Sequence, residues 1–352
     1  MKLKIALLPG DGIGQEVTDQ AAAVLEAVCK KFSHTLETAT GLFGGVAIRA
    51  TGDPLPPDSL TLAKAAGAVL MGAAGHPEFD TWPPEKRPEK GLLRLRKELA
   101  VYANLRPAIC YPALESFSPL RSDIVSGTDM MIVRELTGGL YYGTPRGIHR
   151  NGEASVVNTM AYTQSEIERI ARVAFNLARK RKKHLTSVDK ANVLENGQFW
   201  REIVTNLGAK EFPDVKLDHQ LVDSCAMLLV TDPRRFDVLV MENMFGDILS
   251  DEASVLAGSI GMLPSASLGE HTGLYEPVHG SAPDIAGKGI ANPLGAILSA
   301  AMMLRHSFGL ETEALAVEAA VRKAIDSGIR PKDLKGNAST SQVGNAVIQA
   351  LG

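Results

Sequence analysis

Two periodicities alternate along this chain. Short apolar runs at Lys4 to Leu8, Ala68 to Met71, Asp129 to Val133 and Phe236 to Met241 read as strands, while Gln15 to Lys31 and Ser165 to Lys183 carry the three-to-four spacing of amphipathic helices. Strands followed by helices predict an α/β architecture with much parallel pairing. Leu294 to Leu304 is apolar almost throughout and reads as a buried helix, too short to span a membrane. The alternation breaks between Thr137 and Asn158, where Gly138-Gly139, Gly143, Pro145 and Asn151-Gly152 punctuate short Tyr- and Val-containing segments. That punctuation predicts a protruding hairpin arm. With no repeat of solenoid period and no low-complexity linker, two lobes are expected to be joined by ordered crossings rather than by a tether.

Composition narrows the class. At 352 residues, 45% hydrophobic and 22% charged, the chain can bury one large core or two smaller ones. A net charge of -3 offers no general attraction to nucleic acid or to an anionic membrane. Three widely spaced cysteines, Cys29, Cys110 and Cys225, argue against a disulfide framework and a cysteine zinc site, and fit a reducing cytoplasm. The opening apolar run is broken at once by Pro9-Gly10-Asp11-Gly12, so no signal peptide is expected.

Chemistry concentrates in a few places. In Asn243-Met-Phe-Gly-Asp247-Ile-Leu-Ser-Asp251 two carboxylates stand four positions apart, on one face of a helix. That pair suits an oxygen-ligated Mg2+ or Mn2+, or else it is an acidic, solvated first turn. The loop Glu276 to Pro293, rich in small residues, lets backbone approach a flat, phosphate-bearing ligand, with His279 available to stack; a structural Ω-loop is the alternative. Arg96, Arg106 and Arg134 each lie in or beside apolar stretches, and their forks suit a di- or tricarboxylate, although each alone also reads as a surface ion pair. Two signals are discounted. Gly10-Asp-Gly12-Ile-Gly14 lacks the spacing of a dinucleotide fingerprint and is explained by a tight strand-to-helix turn. The basic run Arg179 to His184 ends a helix, where cations are favoured, and is not taken for a nucleic-acid patch.

Together these motifs, from the Leu8-Pro-Gly-Asp-Gly-Ile-Gly14 opening to the glycine-rich loop and the helix after it, resemble the isocitrate/isopropylmalate family of β-decarboxylating dehydrogenases over essentially the whole chain. The resemblance implies a two-domain α/β fold with a large mixed sheet, distinct from the Rossmann fold. Residues 1–100 and 258–352 would form a discontinuous cofactor-binding domain, and residues 101–257 a second domain with the dimer interface and an arm over about 137–158. It also implies a homodimer whose active site is shared between subunits. The implied activity is NAD- and Mg2+- or Mn2+-dependent oxidative decarboxylation of 3-isopropylmalate to 4-methyl-2-oxopentanoate, CO2 and NADH, in leucine biosynthesis.

Carried over by position, the resemblance gives Arg96, Arg106 and Arg134 the substrate carboxylates, and Asp247 and Asp251, with Asp223 of the other subunit, the metal. Lys190 would manage the C2 hydroxyl proton and Tyr141 would reprotonate the enol carbon. Leu92 and Leu93, with Val193 from the partner, would receive the isopropyl group, with Asn192 and Asp223 also at the substrate. The cofactor would be held by His76, Glu89, Glu276, His279, Gly280, Ser281, Ala282, Asp284, Ile285 and Asn292, Asp284 accepting from the ribose 2'-hydroxyl. His76 and Glu242 depart from the family pattern, which has glycine and a small residue there. The alternatives are a homoisocitrate or tartrate/malate-type dehydrogenase, a non-catalytic regulatory subunit, and a phosphoryl-transfer enzyme; the last lacks a glycine-rich loop ending in Lys-Ser/Thr.

Overall fold

A computed structural model describes residues 1–352, the side chains of Glu85 and Ala257 aside. Its strands are β1 (Lys2–Gly10), β2 (Thr35–Thr40), β3 (Ala68–Ala73), β4 (Ala103–Ile109), β5 (Asp129–Glu135), β6 (Gly147–His149), β7 (Ser155–Val157), β8 (His184–Asp189), β9 (Lys216–Leu221), β10 (Val238–Met241), β11 (Pro264–Leu268) and β12 (Gly273–Pro277). The chain divides into two compact units, Met1–Val101 with Ala257–Gly352, and Tyr102–Leu256.

The first unit is built on strands in the order β2-β1-β3-β12-β11. β1 runs parallel to β2 and β3, and β3 parallel to β12, while β11 is antiparallel to β12. Parallel neighbours need a crossover, and the helix Gly14–Lys31 supplies it between β1 and β2. β3, Ala-Val-Leu-Met-Gly-Ala, is buried at every position, as a strand covered on both faces must be. The run expected to be a buried helix forms Leu294–Phe308, buried from Leu294 through Leu304 and ended by Gly309 in the left-handed region (φ 66°).

The Gly10-Gly12-Gly14 turn is structural. Gly10 and Gly12 have φ of 71° and 57°, and a Cβ on Gly12 would overlap the Ser281 carbonyl, to which Ile13 N–H donates at 2.8 Å. Inside this turn the buried Asp11 carboxylate accepts the N–H groups of Gly45 (2.8 Å), Val46 (2.9 Å) and Gly75 (2.9 Å). It is therefore a knot between three loops rather than a ligand-facing acid.

The second unit orders its main strands β4-β5-β10-β8-β9, with β4 antiparallel to β5 and the rest parallel. Ile132, Val188, Leu239, Met241, Leu249 and Phe236 centre its core. The helix expected over Ser165 to Lys183 forms as Gln164–Lys180, opened by a Thr163/Glu166 capping box. It stops short because Lys183 turns to φ 57° and Arg181 leaves the helix to pair with Asp129 and Asp237. Arg179 pairs with Asp214 and His184 with Asp218, so the basic run is matched by acids of its own unit. The arm appears as the antiparallel pair β6–β7, in register Gly147↔Val157, with Ile148 and Val156 about two-thirds exposed (66% and 65%). Among the described residues no helix is long and apolar enough to cross a membrane, and Cys29, Cys110 and Cys225 are buried free thiols.

Candidate active site

In the second unit, Arg106 on β4 and Arg134 on β5 share a sheet face, because Arg106 stands opposite Ile132, two residues before Arg134. The helix Asn243–Ser254 packs onto that face, bringing its i, i+4 carboxylates to the two guanidinium groups. Arg134, 5% exposed, donates to Asn243 Oδ1 at 3.0 Å and forms a short ion pair with Asp247. Arg106 donates to Asn104 Oδ1 (2.9 Å), Ser250 Oγ (2.7 Å) and Asp251 Oδ1 (2.9 Å). The Tyr141 hydroxyl donates to Asp247 Oδ2 at 3.0 Å, with the Arg134 guanidinium 6.0 Å from its ring centre. Burial, and then the Asp247 carboxylate, push the Tyr141 phenol above its ordinary pKa, which keeps it a proton donor. Five residues singled out from the sequence thus meet: Arg106, Arg134, Tyr141, Asp247 and Asp251.

Lys190 and Asp223 form a separate pair. Lys190 follows β8 and Asp223 opens the helix Val222–Thr231 after β9, and the β8–β9 register sets Lys190 Nζ 2.6 Å from Asp223 Oδ1. That hydrogen bond holds the exposed Asp223 carboxyl below the usual carboxylate range. Among the described residues neither member hydrogen-bonds to Tyr141, Asp247 or Asp251. Asn192 and Val193 lie exposed in the turn after Lys190, Val193 N–H donating to the Lys190 carbonyl at 3.1 Å. Among the described residues of one chain, no group of three or more His, Cys, Asp or Glu is assembled to hold a metal ion.

In the first unit the helix Pro88–Glu98 presents Glu89, Leu92, Leu93 and Arg96, spaced for one face. Leu92 packs partly against the core, whereas Leu93 is 38% exposed. Arg96 donates to Glu276 Oε1 at 2.9 Å, leaving its Nε buried without a hydrogen bond. His76 caps the turn Pro77–Phe79, its Nδ1 accepting the Glu78 N–H at 3.2 Å. In the glycine-rich loop, Ser281 is buried, Ala282 sits at φ 38°, and Asp284 is exposed. His279 pairs through Nδ1 with the Gly280 carbonyl (2.9 Å), while Nε2 is buried and unpartnered. Burial lowers the pKa of that imidazole, which favours its neutral form. Asn292 bridges Leu294 N–H (3.0 Å) and Asp333 (2.9 Å) at the start of the buried helix.

Sequence reasoning missed Asn243, Ser250 and Tyr162 as partners of these groups. It met Glu242 only as an oddity; the structure makes it the N-cap of the Asp247 helix, accepting Phe245 N–H (2.7 Å) and Met244 N–H (3.0 Å). The available signal was an acidic residue directly before a helix with apolar periodicity. Burial raises the Glu242 carboxyl pKa, against the pull of those amides.

The model of the family described as Isocitrate/isopropylmalate dehydrogenase matches residues 4–347. A 3-isopropylmalate dehydrogenase of Geobacillus kaustophilus is 60% identical over 333 residues, 94% of this chain and 90% of that protein. One from Anaeromyxobacter dehalogenans is 55% identical over 100% of both chains. Among solved structures, an isocitrate dehydrogenase from Methylococcus capsulatus superposes with a TM-score of 0.86 at 36% identity, covering 99% of each chain.

Proposed function

This chain belongs to the isocitrate/isopropylmalate dehydrogenase family, and we propose that it oxidises and decarboxylates 3-isopropylmalate to 4-methyl-2-oxopentanoate, CO2 and NADH in leucine biosynthesis. The observation that carries the reading is the array of Arg106, Arg134, Tyr141, Asp247 and Asp251, in which two guanidinium groups, two carboxylates and a phenol are held against one another.

The residues suit a divalent cation. Asp247 and Asp251 offer only oxygen donors, the preference of Mg2+ and Mn2+, and Asp251 is 65% exposed at its side chain, open to a ligand. Asp223 of the partner subunit would complete the set in a homodimer. When bound there, a divalent cation would supply Lewis-acid polarisation of the substrate's oxygen and an electron sink for decarboxylation, and NAD would supply the hydride acceptor.

The remaining work falls to the chain. In the second unit Arg106 and Arg134 offer forked hydrogen bonds to the substrate carboxylates, and in the first unit Arg96, its Nε unpartnered, is assigned the same chemistry. Lys190 of the partner subunit would manage the C2 hydroxyl proton. Tyr141, kept protonated by burial and by Asp247, delivers a proton to the carbon that has lost CO2. Leu92 and Leu93, with Val193 of the partner subunit, shelter the isopropyl group. The extra carboxylate of isocitrate would be stranded on that wall.

For the cofactor we assign the first unit: His76 and Glu89 toward the nicotinamide half, and Glu276, Gly280, Ser281, Ala282, Ile285 and Asn292 around the adenosine. The orphaned, buried His279 Nε2 supports a bound purine there, and the exposed Asp284 carboxylate is free to accept from a ribose 2'-hydroxyl.

The test is a spectrophotometric comparison, with NAD and Mn2+, of 3-isopropylmalate against isocitrate, homoisocitrate, tartrate and malate. Fastest NADH formation with 3-isopropylmalate is expected. Preference for any other acid would reassign the substrate, and no turnover of any would favour a non-catalytic role.

A further inference from the structure

Tyr162 and Glu242 belong to none of the roles above, yet their contacts join two segments that do. The Tyr162 ring occupies the space left by two glycines. A Cβ on Gly138 would stand 2.5 Å from the ring's Cε1, and one on Gly139 would overlap the hydroxyl. Gly139 begins the short turn that ends at Tyr141. On its other side the ring meets Trp200 edge-on, with centroids 5.6 Å apart, and Trp200 is itself tied to Ser187 Oγ at 3.2 Å.

The Tyr162 hydroxyl accepts the Asn243 N–H at 3.0 Å and donates to Glu242 Oε2 at 3.3 Å. Glu242, 5% exposed, closes the first turn of the helix bearing Asp247. The Asn243 side chain completes the circuit, donating to the Gly138 carbonyl at 3.1 Å and accepting from Arg134. One phenol and one buried carboxylate therefore fasten the base of the Tyr141 turn to the start of the Asp247 helix. A buried polar network of this kind sets one geometry only while each member is satisfied.

We propose that Tyr162 and Glu242 are positioning residues that fix the Tyr141 phenol against the Asp247 carboxylate, and so tune both proton delivery and metal affinity without touching substrate. The inference rests on the roles given above to Tyr141 and Asp247. It also gives Glu242 a purpose: the acid caps the helix and accepts the tyrosine hydroxyl at once.

The test uses the full-length enzyme with Tyr162→Phe, Glu242→Gln and Glu242→Ala, and Phe175→Leu in the same unit's core as a packing control. kcat and KM for 3-isopropylmalate are measured together with the thermal midpoint. Mn2+ affinity is read without substrate, from the free-ion paramagnetic resonance signal. Tyr162→Phe keeps the ring and removes only the bridge, so kcat should fall about tenfold with KM within about twofold, and Mn2+ should bind about threefold or more weakly. Glu242→Gln, which retains an accepting oxygen, should recover most of what Glu242→Ala loses. If Glu242→Ala does not fold, Tyr162→Phe and Glu242→Gln decide. The proposal is overturned if the Tyr162→Phe protein keeps kcat and Mn2+ affinity within about twofold of the parent, or loses no more than Phe175→Leu at equal thermal loss. Should the parent enzyme not turn over 3-isopropylmalate at all, the functional reading fails, while the Mn2+ measurement still decides the positioning.

Discussion

Gly246 lies so close over Arg134 that a Cβ on it would stand 2.5 Å from Arg134 Cγ. No other residue lets the helix Asn243–Ser254 settle on β5 with this rotation, and rotation decides which side chains face the arginine. With Gly246 against the arginine stem, the next residue, Asp247, meets the guanidinium, and Asp251 follows one turn later opposite Arg106.

The carboxylate pair predicts metal dependence. A chelator should abolish turnover, Mg2+ or Mn2+ should restore it, and Asp247→Asn should lower kcat on the order of a hundredfold or more with the far-ultraviolet circular dichroism retained. Full activity in excess chelator would remove the metal from the reaction.

Asp284 predicts cofactor choice. A 2'-phosphate beside its carboxylate is repelled and loses a hydrogen bond, so kcat/KM should favour NAD over NADP by about a hundredfold or more, and Asp284→Ala should narrow the gap. Equal kcat/KM for the two cofactors in the parent enzyme would show that another residue faces the ribose.

Leu92 and Leu93 separate by burial. Leu93→Glu replaces a 38% exposed side chain and should cost little stability while damaging 3-isopropylmalate turnover far more than malate turnover. Leu92→Glu places a charge against core residues and should lower the thermal midpoint as well. Parallel losses on both substrates for Leu93→Glu would make the position structural.

A site shared between subunits, as proposed above, predicts complementation. Arg106→Ala and Lys190→Ala homodimers should each be nearly inactive, because every site lacks one group. Refolded together in equal amounts, half the dimers are mixed and half of their sites intact, so about one quarter of parental activity should return. A verified mixed dimer no more active than its parents would place Lys190 and Asp223 in the same chain's site.

Much of this is legible in the sequence itself. Lys4 to Leu8 announced a strand, Leu294 to Leu304 announced a buried helix because burial on all sides leaves a continuous apolar run, and the glycine punctuation around Asn151 announced the β6–β7 hairpin. Asp247 and Asp251 stood out because helical spacing is local. What stayed hidden depends on sheet register. Nothing in sequence spacing tells that Arg106 shares a face with Arg134, that Tyr162 reaches back to Gly138 and forward to Glu242, or that Asp11 ties Gly45 to Gly75. The end of the helix at Lys180 was misjudged for the same reason: Arg181 is drawn off by Asp129 and Asp237, acids far away in sequence.

The division of the chain also orders events during synthesis. Tyr102–Leu256 is continuous, so all of its own strands have been made by the time Leu256 leaves the ribosome. The other unit is interrupted: β3 waits for β12 to pair Ala68 with Gly273, and the buried helix Leu294–Phe308 is made later still. Until then β3, apolar along its whole length, has an unpaired edge. From the translation of Ala73 until that of Gly273–Pro277 the nascent chain therefore carries an apolar strand edge with no native neighbour, a template for wrong pairing.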